Sequence, residues 1–386
     1  MAAAMIGSAT LTSCFKDEPL NAECDIEQAY IHVDNPLEMF ANYTDTIVKV
    51  LSNEQDITFN VKRHTDISNM APLFRLTEGA KITPENGSVH DFTNGPIIYK
   101  VTSQDGEWNR SYSVSFSFPP VFYEEMKYDF EEYFLNEVKP VNKYYVWSDK
   151  NDDGTRTNNW ATGNPGYNLS VGNTAKPNTY PTVPIAAGSE GTLDGTACVK
   201  LTTSDTGAFG MMYKMPIAAG NLFLGKFDAS QVMKDDAMKT TQFGIPVSFL
   251  PIRFSGYYKY QRGNKFTNKK KEVVDGKLDY GTIYAVLYDN HNAEGEAIFL
   301  DGSNVQTSEQ IVAIAKVPDI DNTPEWTHFD LEFDKKKEID MEKLKNMGYS
   351  LAIVCSSSVD GASFMGAIGS TLYVDKFRIT CEKGDE

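Results

Sequence analysis

The segment 144–167 combines aromatic rings with a polar loop rich in glycine and asparagine. Trp147, Trp160 and Tyr167 supply rings on which the apolar C–H face of a sugar could stack, because exposing a loop tryptophan is costly unless it covers something. The alternative is that Trp147 and Trp160 plug one end of a β-sandwich. The sequence leaves both interpretations open.

Polar side chains beside these rings could bind the hydroxyl groups of a sugar. In the same loop the candidates are Asp149, Asn158 and Asn159. Farther along the chain, strand alternation places Arg253 on one face with Tyr257. The pair could add a further ring and a further hydrogen-bonding group to the same sugar site.

Asp149 also begins a candidate calcium loop. Asp149, Asn151, Asp153 and Gly154 match the start of an EF-hand, but its twelfth position holds Trp160 instead of glutamate. A full EF-hand is therefore rejected. The remaining alternatives are a calcium loop of another kind and a polar turn.

Asp375 is a second candidate metal ligand. Strand alternation predicts that it shares a face with Tyr373, Phe377 and Ile379. A carboxylate on an apolar face must be hydrogen-bonded, ion-paired or metal-bound. Asp375 therefore either binds a structural Ca²⁺, the one cofactor under consideration, or pairs with backbone amides or a cationic side chain.

No catalytic motif stands out. The five histidines form no His-x-x-x-His pair, and neither a Gly-x-Ser-x-Gly nucleophile nor a phosphate-binding Gly-Lys-Ser/Thr loop occurs. Glycoside hydrolysis needs two carboxylates about 5–9.5 Å apart. The 53 acidic residues cannot single out such a pair, so the catalytic residues are unknown.

Length and charge set broad limits on the class of protein. The 386 residues carry a formal charge of −17, and their aromatic content of 12% is that of a globular chain. The negative charge disfavours nucleic acid and anionic lipid surfaces as partners. A length of this size predicts two or three domains.

The first part of the chain alternates short strands with turns. Residues 56–62 have apolar side chains on one face, and a turn joins residues 97–103 to residues 110–116 as a β-hairpin. These patterns predict an immunoglobulin-like β-sandwich over residues 24–118. Pro119–Pro120 mark its end.

The pattern of strands over residues 121–386 predicts a larger sandwich of jelly-roll type. With both segments built from strands, the predicted fold class is all-β. Residues 327–333 alternate strictly, with His328 and Asp330 on the outward face, whereas residues 282–288 are apolar on both faces. No alternation of strands with helices appears, which disfavours an α/β enzyme.

The start of the chain is similar to the processing site of a bacterial lipoprotein. Residues 11–14 (LTSC) resemble a lipobox, in which Cys14 would carry the lipid, and residues 16–18 (KDE) resemble the tag of surface lipoproteins in glycan-using Gram-negative anaerobes. Residues 1–23 would then be a signal remnant, the lipobox and a tether. The alternative is a hydrophobic N-terminus with a chance cysteine.

The other cysteines are Cys24, Cys198, Cys355 and Cys381. They form no Cys-x-x-Cys motif, and Cys198 and Cys355 lie in apolar, strand-like runs. Buried free thiols are favoured over a disulfide.

The larger segment, from about residue 122 to 381, resembles a known family. The matching pieces are YDFEE at 128–132, NWATGN at 159–164, GTACVKL at 195–201, AAGNLFLGKF at 218–227, PIRFSGYYK at 251–259 and GAIGSTLYVD at 366–375. They resemble the family called "Putative carbohydrate metabolism domain", which occurs in outer-membrane-associated lipoproteins. The resemblance implies a jelly-roll fold like that of carbohydrate-binding modules and some glycanases, and it brings no catalytic residues.

The N-terminal segment resembles an immunoglobulin-like spacer domain of such lipoproteins. The matching residues are ITPENG at 82–87, Asp91 and Phe92, YKVT at 99–102, and Asp105 and Gly106.

These observations favour a lipoprotein of the outer-membrane surface that binds a glycan or polysaccharide without cleaving it. Its partners would be the glycan, the membrane lipid reached through Cys14, and other surface proteins of glycan uptake. One alternative is a glycoside hydrolase or lyase on the same fold. A second is a structural or adhesive surface protein without a sugar site.

Overall fold

The structure is a computed structural model. It describes residues 19–62, 65–118, 125–138, 142–150, 154–172, 175–232 and 237–382. Pro119–Pro120 and Cys14 therefore lie outside the described residues.

Seven strands and one short helix, α1 (Pro36–Met39), form the N-terminal sandwich. The strands are β1 (Ile26–Tyr30), β2 (Ile47–Lys49), β3 (Asp56–Asn60), β4 (Leu73–Leu76), β5 (Lys81–Thr83), β6 (Ile97–Thr102) and β7 (Asn109–Ser117). They pair in two sheets, with orders β2-β1-β4 and β3-β7-β6-β5.

One hydrophobic core lies between these two sheets. Ile57 and Phe59 of β3 alternate with exposed residues, as the sequence pattern predicts, and both are buried. The Phe59 ring stacks on Phe116 of β7 with centroids 5.3 Å apart. The predicted hairpin is confirmed, because β6 pairs antiparallel with β7 along the whole length of β6.

The C-terminal sandwich contains the other strands and three short helices. The first strands are β8 (Glu125–Tyr128), β9 (Tyr133–Val138), β10 (Asn142–Trp147), β11 (Asp149–Lys150), β12 (Arg156–Thr157), β13 (Trp160–Ala161), β14 (Thr182–Ile185), β15 (Cys198–Thr202), β16 (Ser204–Asp205), β17 (Ile217–Ala218) and β18 (Asn221–Phe227). The later strands are β19 (Thr241–Phe243), β20 (Ile245–Val247), β21 (Pro251–Gln261), β22 (Phe266–Thr267), β23 (Thr282–Asp289), β24 (Ile311–Lys316), β25 (Thr323–Glu332), β26 (Asp334–Lys335), β27 (Tyr349–Ser356), β28 (Gly366–Ala367) and β29 (Thr371–Cys381). The helices are α2 (Asn164–Asn168), α3 (Gly207–Met212) and α4 (Met341–Lys345).

Two large sheets pack against each other in this sandwich. One has six strands, in the order β14-β15-β29-β21-β25 with β8 pairing β29. The other has eight strands, in the order β13-β18-β27-β23-β24-β26, with β19 and β20 pairing β18 and β27. The predicted all-β class is confirmed: an immunoglobulin-like sandwich is followed by a larger sandwich of jelly-roll type.

The two large sheets differ on their outer sides. In the eight-stranded sheet, β23 and β27 are buried on both faces, which confirms the prediction for residues 282–288. A second apolar cluster, including Phe243, Leu300 and Val305, covers its outer side. In the six-stranded sheet the side chains of β21 and β25 alternate between buried and accessible.

A β-bulge interrupts β29 where it pairs with β21. Lys376 adopts a left-handed φ of 50°, and the register shifts between Ser255 and Tyr257. As a result Leu372 and Val374 point into the core before the bulge, and Phe377 points into it afterwards. The prediction that Asp375 shares a face with Phe377 and Ile379 is therefore wrong, because the extra residue reverses the alternation.

Candidate functional site

The outer side of the six-stranded sheet carries a set of partly exposed polar and aromatic side chains, here called the open face. Its members come from β15, β29, β21 and β25. They are Lys200, Tyr373, Arg253, Ser255, Tyr257, Lys259, Trp326, His328, Asp330 and Glu332. Phe254 and Tyr258 point the other way, toward the core, as strand alternation predicts.

Tyr257 and His328 form the ring pair of the open face. They are directly opposed across β21 and β25, and their ring centroids lie 4.8 Å apart at an interplanar angle of 51°. Tyr257 is half-buried and His328 is exposed. Because one side of the pair faces solvent, it can contact the C–H face of a ligand ring.

Lys259 lies between two further rings. Its ammonium is 4.5 Å from the centroid of Tyr373 and 5.1 Å from that of Trp326. The Lys259 ammonium and the Trp326 indole N–H both donate to the carbonyl of Gly191, at 2.5 and 3.0 Å. The loop that contains Gly191 is thereby attached to the open face.

Arg253 joins two acidic side chains of the neighbouring strand. Its Nε donates to Asp330 Oδ1 at 2.9 Å and its Nη1 donates to Glu332 Oε1 at 2.8 Å. The hydrogen bond to Asp330 and the charge of both carboxylates raise the pKa of Arg253. The three side chains form a fixed polar strip beside the ring pair.

Asp375 lies under the loop that contains Thr196 and is fully buried. The Thr196 hydroxyl donates to Oδ2 at 3.1 Å, and the Lys376 backbone N–H donates to Oδ1 at 2.7 Å. Burial raises the pKa of Asp375 to about 7, although these hydrogen bonds oppose the shift. Both carboxyl oxygens thus have a polar neighbour within the protein.

No group of three or more metal-ligating side chains occurs within the described parts of the chain. The calcium-binding role of Asp375 stays a prediction. Asn151 and Asp153 of the candidate calcium loop lie outside the described residues.

The proposed stacking role of Trp147 and Trp160 is wrong in this fold. Trp147 is 1% exposed and Trp160 is 5% exposed, and both belong to the main core of the sandwich. The Trp160 ring packs edge-on against Tyr128 and Phe130, with centroids 5.2 and 5.1 Å away. Both side chains fill the interior of the sandwich, as the alternative interpretation holds, and neither ring has a face that a sugar could contact.

Asp149 is a partner of the Trp160 plug. The Trp160 indole N–H donates to Asp149 Oδ1 at 3.1 Å, while Oδ2 is buried and has no hydrogen-bond partner among the described residues. Burial raises the pKa of Asp149 to about 7, against the effect of that hydrogen bond. Its position within the Trp160 contact argues against direct binding of a sugar hydroxyl.

The remaining predicted residues of the loop lie apart from one another. Asn158 is exposed, and Asn159 is half-buried with its carbonyl accepting from the Gly225 N–H at 2.8 Å. Tyr167 is half-buried in a separate cluster, where its ring lies 5.7 Å from Tyr180. The structure gives no contact between these side chains and the open face.

Of the predicted sugar-binding residues, the structure places Arg253 and Tyr257 together on the open face. Sequence reasoning missed Lys259, Trp326 and Tyr373. The outward position of His328 was available from alternation within β25, but its pairing with Tyr257 depends on which strands are neighbours. That information is absent from any local pattern.

Cys198, Cys355 and Cys381 are buried free thiols, as predicted. Burial raises the pKa of Cys198 and of Cys381 to about 12. These thiols are therefore packing residues rather than nucleophiles. None of the helices in the described residues is long and apolar enough to cross a membrane.

Taken together, these features define a protein of two β-sandwiches in which the six-stranded sheet of the larger one has an accessible outer face. Residues 129–380 match the model of the family "Putative carbohydrate metabolism domain", and the chain belongs to this family. Residues 39–115 match the model "SGBP, N-terminal", which describes a domain of surface glycan-binding proteins.

Two crystal structures are similar to the chain. One, described as a "putative glycoside hydrolase" from Bacteroides thetaiotaomicron, is 36% identical, with 96% of this chain and 100% of that chain covered and a TM-score of 0.78. The other carries the same description and comes from Bacteroides vulgatus. It is 36% identical over 66% of this chain and 98% of that chain, with a TM-score of 0.59. No curated protein sequence matches the chain.

Proposed function

We propose that the protein binds a glycan on the open face without cleaving it. The observation that carries this proposal is the Tyr257–His328 ring pair, which stands on the accessible side of a sheet whose other side is core. A sugar ring that stacks there would bring its hydroxyl groups next to the Arg253–Asp330–Glu332 strip. Membership in a carbohydrate-related family and the match to a glycan-binding domain support the assignment.

The polar strip suits hydroxyl recognition. Arg253 is held by hydrogen bonds to Asp330 and Glu332 at 2.9 and 2.8 Å, so little side-chain entropy remains to be lost on binding. Each carboxylate keeps lone pairs that can accept from a sugar hydroxyl. The strip and the ring pair together supply the apolar and polar contacts that sugar recognition needs.

The decisive residue test is Tyr257→Ala. Removing a central stacking ring is expected to weaken glycan binding by about 1–3 kcal/mol. A glycan array would first identify a ligand, and calorimetry would then compare the variant with the parent chain. Tyr30→Ala, which removes an exposed tyrosine of the N-terminal sandwich, is the matched control. Equal affinity of Tyr257→Ala and the parent chain would refute this site.

A glycoside hydrolase is the second candidate, because two structures that are 36% identical to the chain carry that description. The open face argues against it. Asp330 and Glu332 lie on the same strand and both accept hydrogen bonds from Arg253, whereas the two carboxyl groups of a glycoside hydrolase flank the scissile bond from opposite sides of a cleft. Asp375 has the raised pKa of a general acid but is fully buried.

Incubation with the bound glycan separates the two candidates. A binding protein leaves the number of reducing ends unchanged. Steady release of reducing sugar that Asp330→Asn or Glu332→Gln abolishes would replace binding by hydrolysis as the function.

We further propose that the chain is held at the outer-membrane surface by a lipid on Cys14. The lipobox-like residues 11–14 and the match to a domain of surface glycan-binding proteins support this location. Expression of the full chain in a Gram-negative host should place it in the detergent phase of a Triton X-114 extract. Cys14→Ala should move it to the aqueous phase, and detergent partitioning of that variant would contradict the anchor.

A further inference from the structure

We propose that the open face selects an acidic glycan, by binding the carboxylate of a uronic acid residue at the Lys200–Tyr373–Lys259 row of β15, β29 and β21. This inference rests on the proposed function and names the class of glycan bound. It follows from three observations: where the two cationic side chains lie, that neither has an acidic partner within the described residues, and how far they are from the ring pair.

Lys200 and Lys259 lie on either side of the Tyr373 ring. Tyr373 on β29 is directly opposite Lys200 on β15 and Lys259 on β21. The two ammonium groups are 6.0 and 4.5 Å from the centroid of that ring. Two positive charges therefore converge on one aromatic side chain of the open face.

Neither ammonium is paired with an acidic side chain within the described residues. The other cations near this face are neutralised: Arg253 by Asp330 and Glu332, Lys376 by Asp194, and Arg378 by Asp129. In a chain with a net charge of −17, acidic partners are abundant. The carboxylates on this side of the sheet have other partners: Asp375, directly opposite Tyr257, accepts from the Lys376 backbone N–H, and Glu131 accepts from the Ala197 backbone N–H. Lys200 and Lys259 are therefore the cations of this face that can attract an anion from outside.

Lys259 is held ready for such a ligand. Its ammonium has three N–H donors, and only one is used, toward the Gly191 carbonyl. Trp326 and Tyr373 fix its position through their ring faces, at 5.1 and 4.5 Å. A charge whose side chain is already ordered loses little entropy when it binds a carboxylate.

The spacing to the ring pair fits one sugar residue. Tyr257 and Lys259 are two positions apart on the same face of β21, which separates their Cα atoms by roughly 7 Å. A pyranose that stacks on Tyr257 can therefore direct the carboxylate of its C5 substituent toward Lys259. The Arg253–Asp330–Glu332 strip, in which two carboxylates share one guanidinium, lies on the opposite side of Tyr257, where the hydroxyl groups would bind.

The test compares acidic polysaccharides with their carboxyl-reduced forms. Polygalacturonate, alginate and hyaluronan, each beside its carboxyl-reduced form, are titrated into the full-length protein at low and high salt. At least one acidic form should bind about tenfold more tightly than its reduced form, since a charge-assisted hydrogen bond is lost on reduction. Salt should weaken the binding of the acidic form more than that of the reduced form.

Lysine variants connect the preference to the site. Lys200→Met and Lys259→Met should each lower the preference for the acidic form about tenfold, while Lys200→Arg should keep it. Lys200 makes no hydrogen bond in the described structure, so Lys200→Met should fold even if Lys259→Met loosens the Gly191 loop. Lys100→Met, on the exposed face of β6, is the control.

The outcomes separate this inference from the proposed function. Equal affinity for acidic and reduced forms, or a preference that survives both methionine substitutions, overturns the acidic-glycan assignment. If Tyr257→Ala still abolishes binding of a neutral glycan in that case, the proposed function stands. If neither the acidic nor the neutral polysaccharides bind, both proposals fail.

Discussion

Two carboxyl groups of the C-terminal sandwich, those of Asp149 and Asp375, have strongly raised pKa values. Burial raises the pKa of each to about 7. Asp149 accepts one hydrogen bond, from Trp160, and its other oxygen has no hydrogen-bond partner among the described residues. Both groups are consequently protonated over much of the range in which a free aspartate is ionised.

These acids should make the sandwich more stable in mild acid. Each has a pKa above its unfolded value of 3.8, so the folded state holds more protons between pH 4 and 7. Their contribution is full below pH 3.8 and is lost as the pH rises through about 7. Asp149→Asn and Asp375→Asn should each reduce the fall in melting temperature between pH 5 and pH 8.

Thermal melts at those two pH values provide the measurement. Asp275→Asn, at an exposed aspartate, should keep the parent difference between the two melting temperatures. If Asp149→Asn and Asp375→Asn also keep it, the two carboxyl groups are not the source of the pH dependence.

At the residue scale, the sequence predicts side-chain direction better than side-chain environment. Alternation within β21 correctly puts Arg253 and Tyr257 outward and Phe254 inward. It cannot decide whether Trp160 stacks on a sugar or plugs the sandwich. That outcome depends on Tyr128 and Phe130, which surround the indole only after the strands have assembled.

At the element scale, the bulge in β29 determines how the open face is built. Lys376 occupies a left-handed conformation that glycine or asparagine usually takes, so the sequence contains no sign of the bulge. A regular strand would have aligned Asp375 with Phe377. Neither the position of Asp375 nor the register of Tyr257 could therefore be predicted from periodicity alone.

Gly256 is the residue that allows the bulge to pack. A Cβ atom at this position would lie 2.4 Å from Cδ1 of Phe377 and 3.2 Å from Cε1 of Phe329. Gly256→Ala should therefore destabilise the sandwich by about 1–3 kcal/mol through overpacking, as measured by urea denaturation. It should also weaken glycan binding, because Tyr257 is the next residue.

Ser255→Ala is the control for this substitution, since Ser255 precedes Gly256 and its side chain lies on the accessible side. Its free energy of unfolding should stay within about 0.5 kcal/mol of the parent value. A Gly256→Ala protein as stable as the parent would mean that Phe377 and Phe329 can move aside, and that the bulge does not depend on glycine.

At the scale of the whole molecule, the two sandwiches meet at His291, which is 5% exposed. Its Nε2 lies 3.0 Å from Asp45 Oδ1, and its Nδ1 lies 3.3 Å from Asn42 Nδ2. The Thr44 hydroxyl donates to the Gly295 carbonyl at 2.9 Å. These contacts join the segment before β2 to the loop after β23.

A second contact lies beside the first. The Asn53 side-chain amide donates to the Phe227 carbonyl at 2.6 Å, and Lys226 lies 3.6 Å from Glu54. The contacts are polar and local, whereas each sandwich has its own hydrophobic core. Such an interface should set the relative orientation of the two sandwiches without being required for either to fold.

The His291–Asp45 contact can be tested by a double-mutant cycle. His291→Ala, Asp45→Ala and the double variant should give a coupling energy of about 1 kcal/mol, because a buried side-chain hydrogen bond joins the two domains. Small-angle X-ray scattering should show a larger radius of gyration for each single variant, while His32→Ala, at an exposed histidine, should match the parent.

The open face lies on a different surface and is built from β15, β29, β21 and β25, so glycan affinity should be unchanged. Coupling near zero together with parent-like scattering would show that His291 and Asp45 do not hold the sandwiches together.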